Sequence, residues 1–160
     1  GFFSYSSLNY PYFTDVKRKG FFELLNTDAS NAGLLLNFHF HPSKFGSLYT
    51  ELKIEDVRDT ANNKVPYNPA FMSKIFYSLS PNEKWKFDVG MKYFSSSYAD
   101  IKNEVEISGF TNLFINVYYN FANNLEAMIK LNNLLNQKIY FYKDYREEPF
   151  DILLGVRYTL

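Results

Sequence analysis

The sequence has no cysteine in its 160 residues, which excludes a disulfide framework, thiolate metal sites and thiol redox chemistry. It has no excess of charge. Its 17 basic and 17 acidic residues cancel, so nothing in its electrostatics argues for nucleic acid. Long hydrophobic runs are missing too: no stretch approaches the roughly 18 apolar residues of a membrane helix, and no helical period is visible. The start, GFFSYSSLNYPYF, lacks the basic segment, apolar core and cleavage site of a signal peptide. The expectation is therefore a mature chain or a piece of a longer one. No nucleophile elbow, glycine-rich phosphate loop, HExxH motif or paired-carboxylate arrangement occurs. No enzyme activity and no cofactor is expected.

What the chain does have is aromatic rings: 17 Phe and 14 Tyr, though a single Trp. Such rings favour strands, and tyrosine suits a boundary between oil and water. The most regular stretch is Phe150 to Leu160, where Phe150, Ile152, Leu154, Val156, Tyr158 and Leu160 occupy every second position. This alternation predicts a strand with one apolar face. An outer-membrane barrel needs a last strand of that regularity, because it must pair with another strand to remove an open edge.

The same period runs through most of the chain. Leu34, Leu36, Phe38 and Phe40 alternate with polar neighbours, and the HPSK turn follows. Leu48 to Ile54, Phe71 to Leu79, Trp85 to Tyr93, Leu113 to Phe121 and Leu125 to Leu131 repeat it. Their connections alternate between short (HPSK, SPNEK, ANN) and long, the latter over residues 56–69, 95–109 and 134–149. Short turns at one end and long loops at the other is the layout of outer-membrane barrels. The first thirty residues are poorly defined leading strands. Phe2 to Tyr10 reads as extended and interrupted by Pro11, Lys17 to Gly20 as a basic turn, and Asn26 to Asn31 as a polar connection. The whole is one all-β segment over 1–160, regular from residue 31. It has about eight or nine antiparallel up-and-down transmembrane strands and belongs to a larger barrel.

With that pattern in place, three short elements resemble the C-terminal end of a TonB-dependent outer-membrane receptor. NNLLNQKIY, with Asn133, Leu134, Asn136 and Tyr140, resembles the NLxNxxY element before the last loop and strand of that family. KVPYNPAF (Lys64 to Phe71) resembles the approach to an earlier strand. The ending GVRYTL, with Gly155, Tyr158 and Leu160, resembles the signal read by the barrel-assembly machinery. Two positions depart from the pattern: the terminal residue is Leu, and Leu153 stands where a polar residue is expected. The resemblance implies a wall of about 22 strands around a plug, of which this chain would supply a third. The remaining strands and the plug would come from the rest of the protein or a partner chain.

Chemistry-bearing residues are few. His39 and His41 share a strand face beside a short turn and are weak metal candidates; two ligands do not close a site. Glu51, Lys53, Glu55, Lys84, Lys86, Asp88, Lys92, Glu126, Lys130, Asp151 and Arg157 lie on the polar face, read as a hydrated lumen whose charges pair across strands. Tyr77, Trp85, Tyr93, Tyr119 and Tyr158 sit near strand ends on the apolar face, as an interfacial girdle against outer-membrane lipid would. Asp144, Arg146, Glu147 and Glu148 form a charged solvated loop. The leading function is a segment of the wall of an outer-membrane receptor importing a scarce ligand, a metal chelate or oligosaccharide. The alternatives are a self-contained small outer-membrane barrel with a structural or adhesive role, a barrel enzyme, and a soluble β-sandwich or lipocalin-like binder.

Overall fold

The protein is described by a computed structural model covering residues 1–12, 23–122 and 124–159. Twelve strands follow one another: β1 Phe2–Tyr12, β2 Glu23–Ser43, β3 Gly46–Asp59, β4 Phe71–Leu79, β5 Trp85–Phe94, β6 Ser97–Tyr98, β7 Glu106–Ile107, β8 Phe110–Ala122, β9 Leu125–Asn132, β10 Tyr140–Tyr142, β11 Tyr145–Arg146 and β12 Asp151–Tyr158. Eight form one sheet in the order β1-β2-β3-β4-β5-β8-β9-β12, and every neighbouring pair is antiparallel. The other four make two small hairpins, β6 with β7 and β10 with β11, inside the long connections.

Register decides what each face carries. Leu36, Leu52, Ser73, Tyr93 and Thr111 are successive cross-strand partners, and so are Phe40, Leu48, Tyr77, Val89, Ile115, Leu131 and Ile152. The apolar members of each alternation therefore merge into one surface, which we call outward. It is not covered by protein: Leu154 and Val156 are 72% and 71% exposed. The inward face carries the polar partners, such as the row Asn37, Glu51, Lys74, Lys92 and Asn112. A sheet with one bare apolar face and one polar face suits a wall between lipid and water.

The buried apolar residues lie at the rim instead. Ala29, Val57 and Val65 form one buried cluster, and Pro66, Ala99, Ile107, Phe110 and Ile139 are buried as well. The connection 60–70 folds back on β3, with Val65 N–H donating to Val57 O at 3.0 Å and Glu55 N–H to Ala70 O at 2.9 Å. At the opposite end the described connections are tight turns, each tied to its neighbour. Ser80 N–H donates to Phe45 O at 2.7 Å, Asn120 N–H to Lys84 O at 2.8 Å and Thr159 N–H to Asn124 O at 3.0 Å.

The leading strands differ from expectation. β1 does not stop before Pro11 but continues to Tyr12, with Pro11 opposite Leu24; β1 is an edge strand, where a missing N–H is tolerated. Asn26 to Asn31 is not a connection but part of the 21-residue β2, paired to Asn9 through Ser4 of β1. Polar residues pair there because this part of β2 extends past most of the neighbouring strands, where no apolar face is required. The basic stretch Lys17 to Gly20 and the terminal Leu160 lie outside the described residues. β12 begins at Asp151 rather than Phe150 and ends at Tyr158. Among the described residues no ladder joins β1 to β12, and β1 covers β2 only as far as Gly33. The sheet of the described residues therefore does not close on itself.

Candidate functional site on the inward face

Across the middle of the inward face runs a row of rings. His39 on β2, Tyr49 on β3 and Phe76 on β4 are cross-strand partners. They stack with centroids 4.1 Å and 4.5 Å apart, at 19° and 9°. The row continues over Gly90 to Phe114. A Cβ at Gly90 would fall 2.4 Å from Phe76 Cβ, 2.6 Å from Ile75 O and 2.8 Å from Phe114 Cζ. Glycine is present there because two rings occupy the space a side chain would fill.

Charges flank the rings. Lys74, Phe76, Asp88, Lys92, Phe114, Asn116, Lys130 and Asn132 line a groove of about 410 Å³. Beside it, His39, Tyr49, Glu51, Lys74 and Phe76 line a second of about 290 Å³. Lys74 Nζ sits 5.3 Å from the Phe76 centroid and Lys92 Nζ 5.7 Å from that of Phe114, within cation–π range.

The expected charge pairing is only partly cross-strand. Arg157 donates to Glu126 on the adjacent strand. Lys53 with Glu55, and Lys86 with Asp88 at 3.6 Å, pair along one strand instead. Residues two apart project on the same face, so a long lysine side chain reaches its own strand as easily as the next one. His39 and His41 lie side by side with centroids 4.2 Å apart, and His41 Nδ1 is 2.8 Å from Ser47 Oγ. Among the described residues no group of three metal-ligating side chains forms. The histidine pair belongs to the ring row.

The NNLLNQKIY element is a clamp. Asn133 is 2% exposed and left-handed, with φ 47°. Its N–H donates to Asn112 Oδ1 at 3.0 Å, its Nδ2 to the carbonyls of Gln137 at 2.9 Å and Glu148 at 3.4 Å, and its Oδ1 accepts from Gln137 N–H at 3.0 Å. Asn136, also left-handed (φ 49°), accepts from Phe150 N–H at 3.2 Å. These two asparagines fold the last long connection and deliver it to β12. Leu134 N–H donates to Leu113 O at 3.1 Å, and Tyr140 opens β10 opposite Arg146.

KVPYNPAF serves the same rim. Val65 and Pro66 are buried, and Tyr67, at φ 58°, donates its N–H to Tyr98 O at 2.7 Å. Burial, then the neighbouring Tyr142, Asp100 and Asp144, push the Tyr67 hydroxyl above the ordinary tyrosine pKa. Phe141 stands edge-on to Phe94 and Phe110, which stack with centroids 4.9 Å apart. These loop-to-loop contacts had no sequence signal beyond the aromatic content.

Of the assembly-signal residues, Gly155 lies opposite Met128, whose Cε would be 2.5 Å from a Cβ there. Tyr158 points outward and is largely exposed. On the outward face Tyr77, Trp85, Tyr119 and Tyr158 gather at the short-turn end, with Trp85 and Tyr119 at 4.6 Å. Tyr93 lies at the long-loop end beside Phe71 at 5.8 Å. Leu153 faces inward opposite Lys130, half-exposed at the open edge.

No protein-family model matches the chain, and no curated protein matches it by sequence. Solved structures do match its fold. The copper transporter OprC superposes with a TM-score of 0.75 at 12% identity, over 95% of this chain and 26% of its own. The pyoverdine outer membrane receptor FpvA of Pseudomonas aeruginosa PAO1 gives 0.69 at 11% identity, over 99% of this chain and 26% of its own. BauA, the ferric preacinetobactin receptor of Acinetobacter baumannii, gives 0.68 at 13%, over 98% and 26%. This chain has the fold of the barrel wall of TonB-dependent outer-membrane receptors and spans about a quarter of the length of such a receptor.

Proposed function

We propose that the chain is a segment of the wall of an outer-membrane receptor that imports a scarce small ligand. The observation that carries this is the two-faced sheet: a continuous bare apolar surface outward, and a polar, ring-lined surface inward. Lipid covers the first. The second borders the ligand path, together with further strands and a plug supplied by the rest of the protein or a partner chain. The rim loops lie on the outside of the cell, where long loops of such barrels are found, and take part in ligand capture. Tyr77, Trp85, Tyr119 and Tyr158 anchor one membrane interface and Tyr93 the other. The barrel-assembly machinery reads the signal carried by Gly155, Tyr158 and Leu160. The names of the structural neighbours support a metal-containing cargo over an oligosaccharide, since they carry copper, ferripyoverdine or ferric preacinetobactin.

The absence of cysteine makes a direct test available. Single cysteines placed along β5 in outer membranes should alternate: a charged thiol reagent labels Lys86→Cys and Lys92→Cys, while Val89→Cys and Met91→Cys resist it and are quenched by lipid-soluble probes. Uniform labelling of all four would overturn the wall reading.

A further inference from the structure

Each of the three long connections buries apolar side chains: Val65 and Pro66 in 60–70, Ala99 and Ile107 in 95–109, and Ile139 in 134–149. The connections also hold one another. Asn103, in left-handed backbone with φ 58°, accepts from Lys64 N–H at 2.8 Å and donates its Nδ2 to Lys64 O at 2.9 Å. Tyr67 N–H donates to Tyr98 O at 2.7 Å, so the first connection is tied to the second at two points. The Tyr67 ring meets that of Tyr142, in the third connection, at 5.0 Å. Phe141, from the same hairpin, stands edge-on to Phe94 and Phe110, the residues on either side of the second. Gln137 Oε1 accepts from Thr111 N–H at 3.0 Å and anchors the third connection to β8. Tyr67, Ile107 and Phe141, one from each connection, line a cavity of about 30 Å³, the room of one water molecule. A segment that opens by itself has few buried contacts and a solvated backbone; these three have the opposite. All of these contacts are internal to the chain, so none waits on strands supplied from elsewhere.

We infer that the three connections form one preassembled body that opens as a unit, so that none of them is an independent lid. A ligand or partner meeting this sector of the rim finds a fixed surface, and no free energy goes into ordering the loops on binding. The inference deepens the part in ligand capture proposed above, and it takes from the wall reading only the place of the rim outside the cell.

The test is backbone hydrogen exchange of the whole protein that carries this chain, in outer membranes. One hydrogen-bonded amide reports on each connection: Val65, bonded to Val57 O, Ala99, bonded to Val105 O, and Glu147, bonded to Ile139 O. Asn103→Ala cuts a tie between the first two connections, and Asn103 has no hydrogen bond to the third among the described residues. The expected result is nevertheless exchange about tenfold faster at all three amides. Phe141→Ala, made in the third connection, should act in the same way on Val65, and it serves if Asn103→Ala fails to fold. A variant that speeds exchange only in the connections it touches, or in none, overturns the inference and leaves the wall reading standing. Strand amides of β3, β4 and β5 should stay protected throughout. Their exchange at the rate of the loops overturns the wall reading, while coupling among the three loop amides would still support a single body.

Discussion

Asn133 illustrates how much one side chain settles at this rim. It is buried, adopts a backbone conformation that few residues accept, and closes a loop through both its amide nitrogen and its oxygen. Asn133→Ala leaves buried partners unsatisfied, at about 2 kcal/mol, and should expose residues 134–149 to protease while the strands stay protected. Two glycines make a second contrast. Alanine at Gly90 meets backbone and a ring stem, an overpacking cost of about 1–3 kcal/mol that should reduce the folded fraction. Alanine at Gly155 meets only the flexible end of Met128, which can swing aside, so folding should be unchanged. Tyr67 adds a pH dependence. Its folded pKa is raised, so the unfolded chain loses its proton first, near pH 10. Rim stability should be constant below that value and fall above it. Hydrogen exchange of the 60–70 connection should show a steeper alkaline loss in the natural protein than in Tyr67→Phe.

At the scale of a strand, the two faces predict opposite responses to one substitution. Leu153 and Leu154 are adjacent in β12, yet the first is opposite Lys130 on the inward face and the second is bare on the outward face. Arginine at 154 should cost about 2–4 kcal/mol if it falls near the bilayer midplane and lower the folded yield in lipid. Arginine at 153 should be tolerated. Equal effects would sink the assignment of faces. The alternation that fixes these faces was legible in the residues from Ala32 onward because each strand there has one side in lipid. In the β1–β2 hairpin, Phe2 to Tyr10 was legible as extended, but Asn26 to Asn31, which pairs with Asn9 through Ser4, was not. A strand without an apolar side looks like a loop. The clamp was visible only as a resemblance; that Asn133 and Asn136 act through left-handed backbone needed the structure.

For the chain as a whole, the determining fact is a sheet of eight strands in which, among the described residues, β1 and β12 do not meet. A closed eight-strand barrel would resist detergent and run compactly on a gel until boiled. The isolated 160-residue chain refolded in detergent should show no such shift, and a compact band that moves on boiling would restore the self-contained barrel. The ladder order and the division into short and long connections could be read from the sequence, because hairpin spacing is local information. The ring row and the groove lysines beside it could not. Both depend on register among β2, β3, β4, β5, β8 and β9, and a slip of one residue would turn those side chains outward.

The run from Leu34 to Phe40 has a consequence before any membrane is reached. It reads LLLNFHF, seven residues without an acidic or basic side chain other than His39, in a sheet whose outward face is bare apolar surface. In water, such a segment favours stacking with copies of itself, the route to fibrils. Safe delivery of this polypeptide therefore depends on escort: whatever carries it to the bilayer must shield that face until lipid covers it.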